Sequence, residues 1–121
     1  MMDTETLKQA PKVVLHDHLD GGLRPETIIE LAEENNYQDL PTTDVEKLSE
    51  WFHRGADRRD LSLYLETFQH TVGVMQTADA CYRVAVECAE DLAADGVVYA
   101  EVRYAPSLMT SEGSSLDEVI E

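Results

Sequence analysis

Two short apolar runs of β character bracket this chain, and what lies between them constrains the fold most. The first, Lys12 to Leu15, leads into Lys-Val-Val-Leu-His-Asp-His-Leu-Asp-Gly-Gly, residues 12–22. The second, Val97 to Tyr104, follows Asp95-Gly96, with glycine at the usual helix stop. The segment between them reads as helices and polar connectors. Pro25 suits the first turn of a helix, where its missing N–H costs nothing, and Glu26 favours the positive helix end. Ile28, Leu31 and Ala32 then recur at helical spacing, flanked by Ile29, and this helix is expected to end near Asn35-Asn36. A second helix, capped by Thr42 or Thr43, carries Val45, Leu48 and Phe52, widened by Trp51, and stops at Arg54-Gly55. A third carries Leu61, Tyr64, Leu65, Phe68 and Val72, a stripe that periodicity alone assigns to core packing. A fourth, capped by Thr77, carries Cys81, Val84, Ala85, Cys88 and Leu92 as an apolar face. After the second strand, Ser115-Leu-Asp-Glu118 is a capping box opening another helix, with Leu116, Val119 and Ile120 on its apolar face. Residues 1–11 read as a polar lead-in with at most a helical turn. Strand, helical crossover, strand, helix is the grammar of a parallel α/β sheet.

Composition narrows the functions available. A net charge of −16 argues against nucleic acid and against an anionic membrane surface, and describes a solvated exterior. No apolar run approaches a transmembrane length, and the N-terminus lacks the basic and apolar regions of a signal peptide. Cys81 and Cys88 lie on one helix face two turns apart, about 10 Å, too far for a disulfide. They read as buried small hydrophobes in a reducing, cytoplasmic setting.

The chemistry concentrates at the end of the first strand. Alternation in an extended strand places His16 and His18 on one face with Lys12 and Val14, and Val13, Leu15, Asp17 and Leu19 on the other. Asp20 joins the histidine face if the backbone stays extended. Two imidazoles there can grip one metal ion, and zinc accepts histidine nitrogen at about 2.0–2.1 Å. Two solvated side chains are the competing reading. The glycines that follow permit a sharp turn or a close approach. On the second strand, Val98, Ala100 and Val102 oppose Tyr99, Glu101 and Arg103. Glu101 and Arg103 read as a structural ion pair in preference to a catalytic one. His53 falls at an exposed helix end, and His70 reads as structural or exposed.

Three segments together carry a family resemblance. Val-Leu-His-Asp-His-Leu-Asp-Gly-Gly-Leu-Arg-Pro-Glu-Thr, residues 14–27, resembles the opening of the adenosine deaminases, within the metal-dependent amidohydrolases. Gly-Val-Val-Tyr-Ala-Glu-Val-Arg-Tyr-Ala-Pro, residues 96–106, is similar to that family's second strand. Leu-Ser-Leu-Tyr-Leu-Glu-Thr-Phe, residues 61–68, is similar to the helix beside its substrate entrance. The resemblance implies the N-terminal part of a (β/α)8 TIM barrel, with about two of its parallel strands and the helices between them. A full barrel takes about 250 residues, against 121 here, and the last helix opens without finishing, so the ending reads as a truncation.

The resemblance also implies a chemistry. One Zn2+ is held by His16 and His18, with the remaining ligands and every general acid or base outside these residues. His18 and Asp20 contact the substrate, Asp20 accepting from a ribose hydroxyl, and Leu61, Tyr64, Leu65 and Phe68 form an apolar gate suited to a purine. The reaction implied for a complete protein is hydrolysis of adenosine or deoxyadenosine to inosine and ammonia, zinc making hydroxide available at neutral pH. Another His-x-His amidohydrolase, such as an adenine deaminase, is the near alternative. An inactive module that associates through open sheet edges is a second reading, and an acidic interaction domain with incidental histidines a third. The cytidine-deaminase type of site needs His-x-Glu with Pro-Cys-x-x-Cys, and neither occurs.

Overall fold

The computed structural model describes residues 1–121. Helix α1 (Thr4–Gln9) precedes strand β1 (Lys12–His18), and a 3₁₀ turn, Leu19–Gly21, leads to α2 (Pro25–Glu34). Helices α3 (Val45–Ala56), α4 (Leu61–Val74) and α5 (Ala78–Ala94) follow. Strand β2 (Val97–Arg103), a second 3₁₀ turn (Pro106–Met109) and α6 (Leu116–Ile120) complete the order. β1 and β2 pair in parallel, as the intervening helices require. No helix is long and apolar enough to cross a membrane.

The lead-in is more ordered than its polarity suggests. Asp3 caps α1, and Lys12 Nζ donates to the carbonyls of Leu7, Lys8 and Ala10, closing its far end. Gly96, at φ +76°, passes so close to the Lys8 carbonyl that a Cβ would collide with it. Both the φ and the contact demand glycine between α5 and β2.

Caps set the helix starts. Thr77 caps α5, and Ser115 with Glu118 forms the complete capping box of α6. For α3 the cap is Asp44, whose side chain accepts from Lys47 N at 3.0 Å, and neither Thr42 nor Thr43. The Thr42 hydroxyl instead accepts from Asp44 N, forming the turn that precedes the helix.

The core gathers Ile28, Leu31 and Ala32 of α2, Leu48 of α3, Val74 and Met75 at the end of α4, and Ala80, Cys81 and Val84 of α5, closed by Met109 and Val119. Charge fixes α2 against α5. Arg24 Nη2 meets Asp91 at 2.7 Å, Arg83 Nη2 meets Glu30 at 2.6 Å, and the buried Thr27 hydroxyl donates to Glu87 at 2.6 Å.

Helix α4 departs from the core-stripe expectation. Leu61, Leu65 and Tyr64 are 72%, 52% and 40% exposed, and the buried positions are Thr67, Thr71 and Val74. The threonine hydroxyls donate to Tyr64 O and Phe68 O within the helix, so burying them leaves no donor unmet. Their small size admits α3 closely: a Cβ on Gly55 would lie 2.6 Å from Thr67 Cγ2. The apolar stripe is thereby turned toward the sheet's C-terminal end.

Candidate functional site

Strand β1 carries its chemistry on a bulge. Val14 pairs with Ala100 and Asp17 with Val102, so three residues of β1 advance where two of β2 do. The extra residue falls at Leu15–His16 and flips the alternation. Asp17 therefore takes Val14's side and His18 takes Val13's, which corrects the simple strand pattern. His16 and His18 converge nonetheless, both exposed, with ring centroids 5.1 Å apart and Nε2 atoms 3.1 Å apart.

That separation bears on a metal. Two nitrogens at about 2.1 Å from one ion, at a tetrahedral angle, lie about 3.4 Å from each other. The observed pair is within a few tenths of an ångström of that spacing. The same distance also permits one ring to donate a hydrogen bond to the other. No third histidine, cysteine, aspartate or glutamate joins them to make a three-ligand group.

Asp20 does not continue an extended face. The chain coils into the 3₁₀ turn, and the carboxylate is buried at 4% exposure. Its Oδ2 accepts from Ala105 N at 3.2 Å, tying the end of β1 to the start of the loop after β2. Its Oδ1 lies 3.7 Å from His18 Nδ1 and has no hydrogen-bond partner, the one buried side-chain polar atom in that condition. An unmet buried acceptor costs about 1–3 kcal/mol, which a ligand's donor would recover.

These groups border a cavity of about 360 Å³. His18, Asp20 and Arg103 supply its polar rim, and Leu65, Phe68, Val72 and Leu108 its apolar wall. Phe68 meets His18 edge-on at 5.9 Å and Tyr64 at 5.6 Å. Of the four residues expected to form a gate, Leu65 and Phe68 line the cavity, Tyr64 touches Phe68 edge-on without lining it, and Leu61 lies outside it. Gly21 makes the fit possible, since a Cβ there would stand 2.7 Å from the Phe68 ring.

Arg103 is not the wall ion pair expected from the sequence. Glu101 accepts from the Tyr99 hydroxyl at 2.9 Å, and Arg103 donates to Leu15 O at 3.4 Å, reaching across to β1 at the rim. The other histidines stand apart. His53 borders a separate cavity between the Gly21–Leu23 turn and α3. His70 Nδ1 lies 3.0 Å from the Tyr37 hydroxyl, with Trp51 against its ring. Burial pushes the His70 imidazole below its usual range, and Asp39 partly offsets that. Val72 shares the helical stripe of Leu65 and Phe68, and the spacing that suggests core packing also sets it on the cavity wall.

The comparisons agree on a lineage. The adenosine deaminase family profile matches residues 11–121. An adenosine deaminase 1 of Streptomyces coelicolor is 64% identical over 117 residues, which are 97% of this chain and 30% of that protein. An adenosine deaminase of Mycobacteroides abscessus is 59% identical over 120 residues, 99% of this chain and 33% of that protein. Among solved structures, an adenine deaminase from Arthrobacter aurescens superposes with a TM-score of 0.73 at 33% identity, covering 89% of this chain and 33% of its own. An Arabidopsis N6-mAMP deaminase gives 0.73 at 26% identity, covering 97% and 34%. The chain thus spans about a third of the length of the relatives it matches. By sequence profile, by identity and by the α/β barrel segment it folds into, it belongs to the adenosine deaminase family.

Proposed function

We propose that this chain supplies two zinc ligands and one wall of the substrate cavity for hydrolytic deamination of adenosine or deoxyadenosine to inosine and ammonia. The observation that carries the reading is Asp20 Oδ1, a buried acceptor without a donor, set beside His18 at the rim of an apolar cavity. His16 and His18 would hold the metal through Nε2, and a bound zinc ion supplies the charge that activates water at neutral pH. Asp20 accepts from a ribose hydroxyl and orients the nucleoside. Leu65, Phe68 and Leu108 cover its flat apolar base and keep bulk water away. No general acid or base lies among these residues, so the isolated chain is expected to be inactive. The surroundings are cytoplasmic in this reading.

The solved adenine deaminase supports one neighbouring possibility, a free base as substrate. A chimera separates the two. This chain replaces the matching segment of the Streptomyces coelicolor relative, and turnover of adenosine and of adenine is compared. Adenosine turnover that collapses in His16→Ala and His18→Ala, with KM raised about tenfold or more in Asp20→Ala, supports the reading. Preference for adenine, or adenosine kinetics untouched by Asp20→Ala, overturns it, because adenine has no ribose hydroxyl to offer.

A further inference from the structure

We propose that Gln76 is a positioning residue for the substrate cavity, holding the loop after β2 so that Leu108 closes the apolar wall. The proposal rests on the functional reading above for what the cavity binds, but not for what Gln76 does to the loop. Gln76 follows the C-terminus of α4 and is 5% exposed. Its side chain uses every hydrogen-bonding site that reaches the loop. Nε2 donates to Val72 O at 2.8 Å and to Leu108 O at 2.9 Å, and Oε1 accepts from Ser111 N at 3.0 Å. Its own carbonyl accepts from the Ser114 hydroxyl at 3.1 Å. One buried amide thus joins the helix that carries Leu65, Phe68 and Val72 to the loop that carries Leu108.

The opposite end of that loop is held by Asp20, through Ala105 N. Residues 105–114 are therefore clasped twice, once beside His18 and once by Gln76. Leu108, whose carbonyl Gln76 holds, lines the cavity while 52% of it stays exposed, so burial alone does not fix it. An amide is the group this position needs: two carbonyls ask for a donor and one N–H asks for an acceptor. Methionine has similar length and volume and can serve neither. Glutamate keeps the acceptor but turns a charge toward two carbonyl oxygens.

The test compares wild type, Gln76→Met and Gln76→Glu in two measurements. Amide hydrogen exchange on this chain reads the loop directly. Exchange at Ser111 and Ala105 is expected to quicken about tenfold in Gln76→Met, and less at Ser111 in Gln76→Glu, which keeps that amide's acceptor, with Val74, Cys81 and Val84 unchanged. Quickening spread evenly over α4 and α5 would mean a general packing role and overturn the proposal. So would a Ser111 amide already unprotected in wild type. In the chimera with the Streptomyces coelicolor relative, Gln76→Met is expected to raise KM for adenosine about tenfold with kcat within about twofold. A loosened loop with KM unchanged would overturn the link to the cavity. A wild-type chimera inactive on adenosine would overturn the deaminase reading, and exchange at Ser111 would still decide the role of Gln76.

Discussion

Gly21→Ala tests how tightly the site is built. The added Cβ would stand 2.7 Å from Phe68 Cε1 and 2.8 Å from Cζ, where ordinary contact begins at 3.4 Å. The ring must retreat by about 0.7 Å, the difference between 3.4 and 2.7, into space shared with His18 and Tyr64. Overpacking of this kind costs about 1–3 kcal/mol. Gly21 has no left-handed backbone, so alanine also restricts the unfolded chain and returns about 0.4–1 kcal/mol. The net loss is then about 0–2.5 kcal/mol, too wide a range to interpret alone. A double-mutant cycle with Phe68→Leu isolates the clash, because leucine leaves room where the ring edge stood. Urea unfolding of dilute chain, followed by fluorescence of Trp51, the only tryptophan, gives the four stabilities. The expected coupling is about 1–2 kcal/mol, with Gly21→Ala nearly harmless once Phe68 is leucine. Additivity within about 0.5 kcal/mol would refute the claim that this glycine exists to seat the ring.

Other outcomes follow from the same contacts. Burial pushes the Glu87 carboxyl up, but the Thr27 hydroxyl, Arg83 and Arg24 outweigh it and hold it below the usual carboxylate range. That stability is present above about pH 4.3, the unfolded value, and is lost as pH falls through the lower folded value. Thr27→Val should cost about 1–2 kcal/mol at neutral pH and flatten the acid limb of a stability-against-pH curve. His70, held neutral by burial, contributes stability that is complete above about pH 6.5 and drains away as pH falls through its lower folded value. His70→Asn should remove that slope in the same titration. The open sheet face and edge expose Val13, Leu15, Val98 and Tyr99 by more than half. Sedimentation should therefore show concentration-dependent association of this chain, and a monodisperse monomer would contradict it.

The fold's grammar was legible because it depends on local signals. Pro25, Thr77, Asp95-Gly96 and the Ser115–Glu118 box each act within one turn of helix, and each sits where its chemistry suggests. What escaped depends on contacts distant in sequence. The bulge at Leu15–His16 exists only relative to β2, so alternation along β1 alone misassigned the faces. The α4 stripe mimics a core face, and only the burial of Thr67 and Thr71 instead, with Thr67 packed on Gly55, reveals that it points away from the core. Glu101 and Arg103 satisfy the rule for a wall ion pair, but Tyr99 and Leu15 offer nearer partners. Gln76 left no trace, since a single glutamine after a helix carries no periodicity. The His16–His18 pair was readable by contrast, because two residues so near in the chain need little help from the fold to meet.

The most direct test of the account is a zinc titration of wild type, His16→Ala and His18→Ala by calorimetry, at a pH where free imidazole is neutral. If the two rings share one ion, wild type binds zinc with little proton release, and each substitution weakens binding by about tenfold or more. Equal affinity in all three proteins would contradict the metal site, and with it the catalytic reading of the cavity beside it.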